Sequence, residues 1–544
     1  MHLTLPLFGA LSVLSITSAF YLPGVAPTDY KHDDRVPLIV NHFTPELGPK
    51  HKLKSVVSYD YYHPALNLCQ PPGGPKQMSE SLGSILFGDR LMSSPFDIHM
   101  GRQETCKALC GPQKYDKKKA KFVNRLIWQH YNFNWLIDGL PAATVEDEDS
   151  QFYAQGFKLG RTEPGQEGDE GPPPTYLHNH YDIIIEYHKL TRSGIERFRV
   201  VGVEVRPQSI SSTIKDGIAD CSDSTPVSVD RDGDTEVNYT YSVSWKESNT
   251  PWATRWDKYL HVLDPNIHWI SLVNSVLVAV ILSALVLVVL LRALRKDIAR
   301  YNQLDINEDV QDDSGWKLVH GDVFRAPKNP LLLSIFLGSG AQLFFMVGAT
   351  ILFALLGFLS PSNRGSLATV MILLYTLFGF IGGYVSARAY KSLGGDAWKK
   401  NIVLTPVFIP GIVFGTFFFL NIFLAYEHSS GAVPFATMLA LILIWFIISV
   451  PLSCAGSWLG FKAPVFAPPV RTNQIPRQIP PQQGWLRPTP SMLMAGTLPF
   501  GAICLELYYI MNSIWFHKVY YMFGFLFVTY GIMVSSLFCS TEHL

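Results

Sequence analysis

One acidic side chain, Glu506, sits in Cys504-Leu505-Glu506-Leu507-Tyr508, well inside a run of apolar residues. In hydrocarbon a carboxylate costs at least about 2.5 kcal/mol unless it is protonated, paired or wetted, so Glu506 is expected to face other helices. There it could grip a polar group of a client span, take part in ion passage, or make a structural hydrogen bond. His178, His180 and His188 lie around Ile183 to Ile185. Alternate positions of an extended segment share a face, so these imidazoles could be offered to copper or zinc. Scattered surface histidines are the plainer reading. Cys69, Cys106, Cys110 and Cys221 form an even set suited to an oxidising compartment, with three pairings open. A metal site on Cys106 and Cys110 is the weaker alternative. Asn238-Tyr239-Thr240 is an N-glycosylation sequon, and Glu146 to Asp149 reads as a solvated acidic loop. No His-Glu-x-x-His, phosphate loop or nucleophile elbow stands in a suitable context, so no enzyme and no cofactor are expected.

The elements that position these groups fall into two halves. The chain has 544 residues, of which 48% are hydrophobic, and a formal net charge of zero. Its mean hydropathy is +0.16. The charge balance leaves no basic field for nucleic acid. Residues 1–19, ending in Thr17-Ser18-Ala19, read as a signal peptide. From 20 to 265 the dominant period is two. Asp182 to Tyr187, Phe198 to Val205 and Val237 to Trp245 read as strands of an antiparallel sandwich, with a helix from about Asp116 to Val123. Arg161 to Pro174, rich in Gly, Pro and acids, is an insertion without core-forming residues.

The second half is a series of apolar runs. Leu272 to Leu291 carries no charge and is long enough to cross a hydrocarbon core, which makes 266–292 a first transmembrane span. Trp252, Trp256, Tyr259 and Trp269 precede it, and Arg292, Arg295, Lys296 and Arg300 follow it. Six further apolar segments lie within 331–538: Leu331 to Ser360, Ser366 to Ala387, Asn401 to Tyr426, Ala432 to Phe461, Ser491 to Phe516 and Val519 to Phe538. Fifteen Lys and Arg residues fall in one set of connecting loops against two in the other, which places 293–330 in the cytosol and the N-terminal half in the lumen. Pro406, Pro410, Pro451 and Pro499 lie inside spans and predict kinks. Gly338-Ser339-Gly340 and Gly379 to Gly383 offer small surfaces for close helix contact. The loop 464–490 repeats proline and favours an extended geometry. Glu506, Gly338, Gly340, Pro406 and Pro410 are the candidate client-binding positions.

Several strings carry a resemblance. They include Gly88-Asp89-Arg90-Leu91, Gly139 to Ala143, Asn179-His180-Tyr181-Asp182, Trp252 to Asp257, Lys296 to Asn302, Gly315 to Arg325 and Arg471 to Pro480. On these the chain resembles the transmembrane 9 superfamily, the nonaspanins, over essentially its whole length. The resemblance implies a β-rich lumenal sandwich domain plus a polytopic α-helical transmembrane bundle, with seven spans present of an expected nine. It implies residence in Golgi and endosomal membranes. It further implies sorting of client membrane proteins through their transmembrane helices, especially glycine-rich or polar ones. A transporter or copper-handling role is the alternative. Residues 539–544 depart from the family, and the expected coat-protein-binding tail is absent from the sequence.

Overall fold

The computed structural model describes residues 27–46, 55–145, 153–163, 174–192, 195–215, 218–229, 235–260, 265–303, 321–359, 365–470, 472, 475, 484, 487–515 and 522–543. The signal segment, the acidic run at Glu146, most of the Arg161 to Pro174 insertion and about half of the 464–490 loop lie outside them. The chain divides into two compact units. One comprises Met1–Val262 with the short segments Leu356–Ser366 and Leu424–Ala432, and the other contains the remaining helices.

The first unit is β-rich. Its largest sheet has six strands: β1 (Glu104–Ala108), β2 (Ala143–Val145), β3 (Tyr153–Gln155), β4 (His180–Arg192), β5 (Ile195–Gln208) and β6 (Thr240–Glu247), in the order β3-β2-β5-β4-β6-β1. β4 and β5 form an antiparallel hairpin with Ile183 opposite Val205 and Ile185 opposite Val203, all four fully buried. This alternation is the one the sequence shows. The sheet is mixed rather than purely antiparallel, because β6 runs parallel to β4 and β2 runs parallel to β5. Asn179 supplies the reason at one edge. Its Nδ2 donates to Ile210 O and Asn238 O at 2.8 Å each, its Oδ1 accepts from Ile210 N, and its carbonyl accepts from Thr240 N. The side chain thus ties the end of β5 to the start of β6, bringing β6 in beside β4 in the same direction.

Smaller sheets complete the core. Phe133, Trp135, Phe157 and Tyr181 pack ring on ring, with Trp135 4.7 Å from Phe157 and 4.9 Å from Tyr181 between centroids. Helix α1 (Lys117–Trp128) is longer than expected. Asp116 accepts from Lys119 N at its start, and Ala120, Val123, Leu126 and Ile127 bury one face while Lys117 and Lys118 stay exposed.

The second unit is helical: α2 (Pro265–Gln303), α3 (Pro330–Leu355), α4 (Ser366–Ser392), α5 (Trp398–Tyr426), α6 (Phe435–Ile444), a π turn (Trp445–Ser449) running into α7 (Val450–Lys462), α8 (Pro488–Trp515) and α9 (Phe523–His543). Among the described residues, five helical stretches are long and apolar enough to cross a membrane, with Phe435–Lys462 counted as one. A sixth appears if the two parts of α8, bent by 58° around Pro499, count as one span. The seventh expected segment is a shorter apolar stretch, Phe523–Leu537. The bend at Pro499 and the π turn beside Pro451 follow from missing backbone donors. Pro406 and Pro410, by contrast, sit in a helix that continues through both.

Candidate functional site

The core of the helical unit is organised around α4. Gly382 faces α3, where a Cβ on Gly338 would stand 2.5 Å from Gly382 O. Gly383 faces α7, where its own Cβ would stand 2.1 Å from Ser453 O. The contact is reciprocal, since a Cβ on Gly456 would lie 2.0 Å from Phe380 O and one on Gly460 2.6 Å from Tyr384 O. Backbones approach this closely only where no side chain intervenes. Gly338 is therefore committed to an internal contact, whereas Gly340, two residues on, has nothing within 4 Å of an added Cβ.

Polar groups close the third side of α4. Asn401 Nδ2 donates to Ser334 Oγ and to Ser386 Oγ, both at 3.0 Å. Thr405 donates to Asn401 O at 2.8 Å, so the 2.9 Å bond between Ser386 and Thr405 has Ser386 as donor. Ser334 donates to Leu331 O. All hydroxyl protons are then assigned and Asn401 must present its amide nitrogen inward, leaving Oδ1 buried without a hydrogen-bond partner. The four side chains are at most 4% exposed and join α3, α4 and α5. Such interhelical bonds contribute about 0.6 kcal/mol each on average in membranes.

The continuity of α5 also has a specific cause. Pro410 lacks the N–H that would bond the carbonyl of Pro406, and the indole of Trp445 donates to that carbonyl at 3.0 Å. Trp445 begins the π turn, so an irregularity in one helix satisfies a vacancy in another. A tryptophan 39 positions from its partner is not a signal that sequence reading would isolate.

The candidate client-binding residues are consequently not gathered together. Pro406 is buried and bonded through its carbonyl to Trp445, Gly338 is packed on α4, and Gly340 is open. Glu506 lies on α8, 5% exposed and engaged within the chain. One turn away, Ser275 of α2 donates to Ala502 O at 3.4 Å, which places α2 alongside this part of α8.

In the β-rich unit the histidines are separately committed. His178 Nδ1 donates to Lys158 O at 2.9 Å, and His188 Nδ1 lies 3.1 Å from Ser248 O. His180 bridges Thr240 at 2.8 Å and Asp182 at 3.0 Å. Among the described residues no three His, Cys, Asp or Glu side chains gather as a metal-holding group. The cysteines pair as Cys69–Cys110 and Cys106–Cys221, so Cys106 and Cys110 are bonded elsewhere and not to each other. These bridges span 41 and 115 residues, the long closures that most restrict an unfolded chain. At the sequon, Asn238 Nδ2 donates to Ser212 O at 2.6 Å and Thr240 is buried. The folded unit holds this amide inward, so a glycan there requires addition before the strand closes.

Burial pushes the His178 imidazole below its ordinary value of 6.5, and the nearby cations Arg161 and Lys158 act in the same direction. The unfolded chain therefore binds this proton more readily. Stability is intact above pH 6.5 and is lost as pH falls through the folded-state value. Urea unfolding of the first unit at about pH 7.5 and about pH 5.5 should show a lower midpoint at the acidic value. His178→Gln should flatten that difference, and an unchanged pH dependence in the variant would assign it to other groups.

A β-rich unit with two disulfides, joined to a helical unit whose spans meet through bare glycine contacts and a buried amide network, defines a polytopic integral membrane protein. Residues 58–542 match the family described as Endomembrane protein 70. Transmembrane 9 superfamily member 1 of Saccharomyces cerevisiae is 47% identical over 561 residues, covering 96% of this chain and 83% of the relative. Transmembrane 9 superfamily member 2 of Homo sapiens is 42% identical over 557 residues, covering 98% and 83%. Member 10 of Arabidopsis thaliana is 41% identical over 548 residues, again covering 98% and 83%. The chain belongs to the transmembrane 9 superfamily.

Proposed function

We propose that the protein is a non-enzymatic sorting receptor of Golgi and endosomal membranes, with its β-rich unit lumenal, that helps localise other membrane proteins by engaging their transmembrane helices. The observation that carries this reading is Glu506, a carboxylate 5% exposed within an apolar helix. Its helix runs beside α2, where Val280, Ile281 and Leu287 are more than half exposed. A client span carrying a polar group can lie against this apolar surface and exchange its unsatisfied group for contact with the carboxylate, replacing the contact Glu506 makes within the chain. Gly340 supplies a further open position on α3. The small residues Gly338 and Gly382 hold the receptor's own helices and leave recognition to Glu506.

Glu506→Leu should reduce co-purification of a membrane protein with a polar or glycine-rich span by roughly tenfold, equivalent to one intramembrane polar contact of about 1–2 kcal/mol. Abundance of the variant and its distribution between Golgi and endosomal fractions should match the parent chain. Undiminished client capture by a well-folded variant would remove the carboxylate from recognition.

A further inference from the structure

We propose that a cleft among α4, α5 and α7, at their basic ends, binds an anionic phospholipid. The cleft has a volume of about 450 Å³ and is lined by Lys391, Gly395, Asp396, Trp398, Ile402, Trp458 and Phe461. Two kinds of surface meet there. Trp398 and Trp458 are 51% and 62% exposed and, with Ile402 and Phe461, provide an apolar floor. Lys399 Nζ stands 5.5 Å from the Trp398 ring and Lys462 Nζ 5.3 Å from the Trp458 ring, so each indole carries an ammonium beside it.

Lys391 makes the site more than a pair of surface lysines. Its Nζ donates to Phe461 O at 2.7 Å and Ala463 O at 2.9 Å, capping the C-terminal end of α7 and fixing the ammonium at the cleft. An ammonium has three donors, and two are committed to these carbonyls. The turn opposite is equally fixed: a Cβ on Gly395 would stand 2.2 Å from the Tyr390 ring, and Tyr390 Oη accepts from Ala397 N at 3.1 Å. Segments 388–400 and 458–463 together carry five basic residues and one acid, Asp396. Such a field selects an anion, while the floor of indole and aliphatic side chains suits the first methylenes of an acyl chain. A phospholipid with an anionic headgroup satisfies both, and clusters of this sign beside spans attract such lipids.

The test uses the full chain in a mild detergent, with phosphatidylserine or phosphatidylcholine added in mixed micelles and inorganic phosphate as a separate arm. Phosphatidylserine should raise the unfolding temperature, with an effect that weakens with salt. Lys399→Gln with Lys462→Gln should weaken its binding roughly thirty-fold, about five-fold per lysine. Phosphatidylserine brominated on its acyl chain should quench tryptophan fluorescence, and Trp398→Phe with Trp458→Phe should abolish most of that quenching. Equal stabilisation by phosphatidylcholine, an equal effect of inorganic phosphate, or quenching untouched by the double tryptophan variant would each overturn the proposal.

Discussion

Arg255→Met is expected to destabilise the β-rich unit by about 3–5 kcal/mol, the cost of stranding one member of a buried ion pair. The Arg255 side chain is 4% exposed and that of Asp138 9%, and Arg255 Nη1 donates to Asp138 Oδ2 at 2.9 Å. Arg255 also donates to Val200 O at 3.2 Å and lies 4.6 Å from the Trp252 ring centroid, while Tyr30 Oη donates to the other Asp138 oxygen at 2.8 Å. Burial dominates both partners, raising the Asp138 carboxyl and lowering the Arg255 guanidinium despite their mutual attraction. The pair is therefore expensive to desolvate and is held by these partners, although Arg255 Nε is buried without one. Removing the cation leaves the carboxylate with the hydroxyls of Tyr30 and Thr28 and no charge partner. Asp138→Asn in the same chain should recover part of the loss, because asparagine tolerates the left-handed backbone at this position (φ 50°) and carries no charge to strand. Pulse proteolysis of the full chain across a urea series measures both variants. A loss under about 1 kcal/mol for Arg255→Met, or no recovery in the double variant, would show that packing rather than charge holds the segment.

The second large effect concerns glycines that look alike in the sequence. Gly456→Ala places a methyl 2.0 Å from Phe380 O, and both atoms belong to helix backbones that cannot rotate away. Overpacking of this kind costs about 1–3 kcal/mol where side chains yield, and more where only helix separation relieves it. Gly340→Ala meets nothing within 4 Å and adds helix propensity worth up to about 1 kcal/mol in a soluble helix, so it should be neutral or mildly stabilising. The fraction of monodisperse protein surviving heating in detergent separates the two. Similar behaviour of both variants would mean that the α4–α7 contact is looser than its geometry indicates.

These two cases mark what could be read from residue order. The division into a β-rich half and an apolar helical half was legible because both signals are one-dimensional. Strand alternation in Ile183 to Tyr187 has period two, and Leu272 to Leu291 spans hydrocarbon by length and absence of charge. The kink at Pro499, the close helix contacts of Gly382 and Gly383, and the even cysteine count follow from local chemistry in the same way. The partners of these residues were not legible. Arg255 finds Asp138 117 positions away, Cys106 finds Cys221 115 positions away, and Trp445 reaches the carbonyl that Pro410 leaves unbonded. Gly338 and Gly340 share one tripeptide, yet only one of them meets another backbone. A helix turns about 200° between them, so which faces α4 depends on the docking of α3 rather than on either residue. Identity and spacing determined which groups could bond, span or bend. Tertiary structure alone decided which groups met, because burial favours pairing of donors and acceptors wherever the fold brings them together.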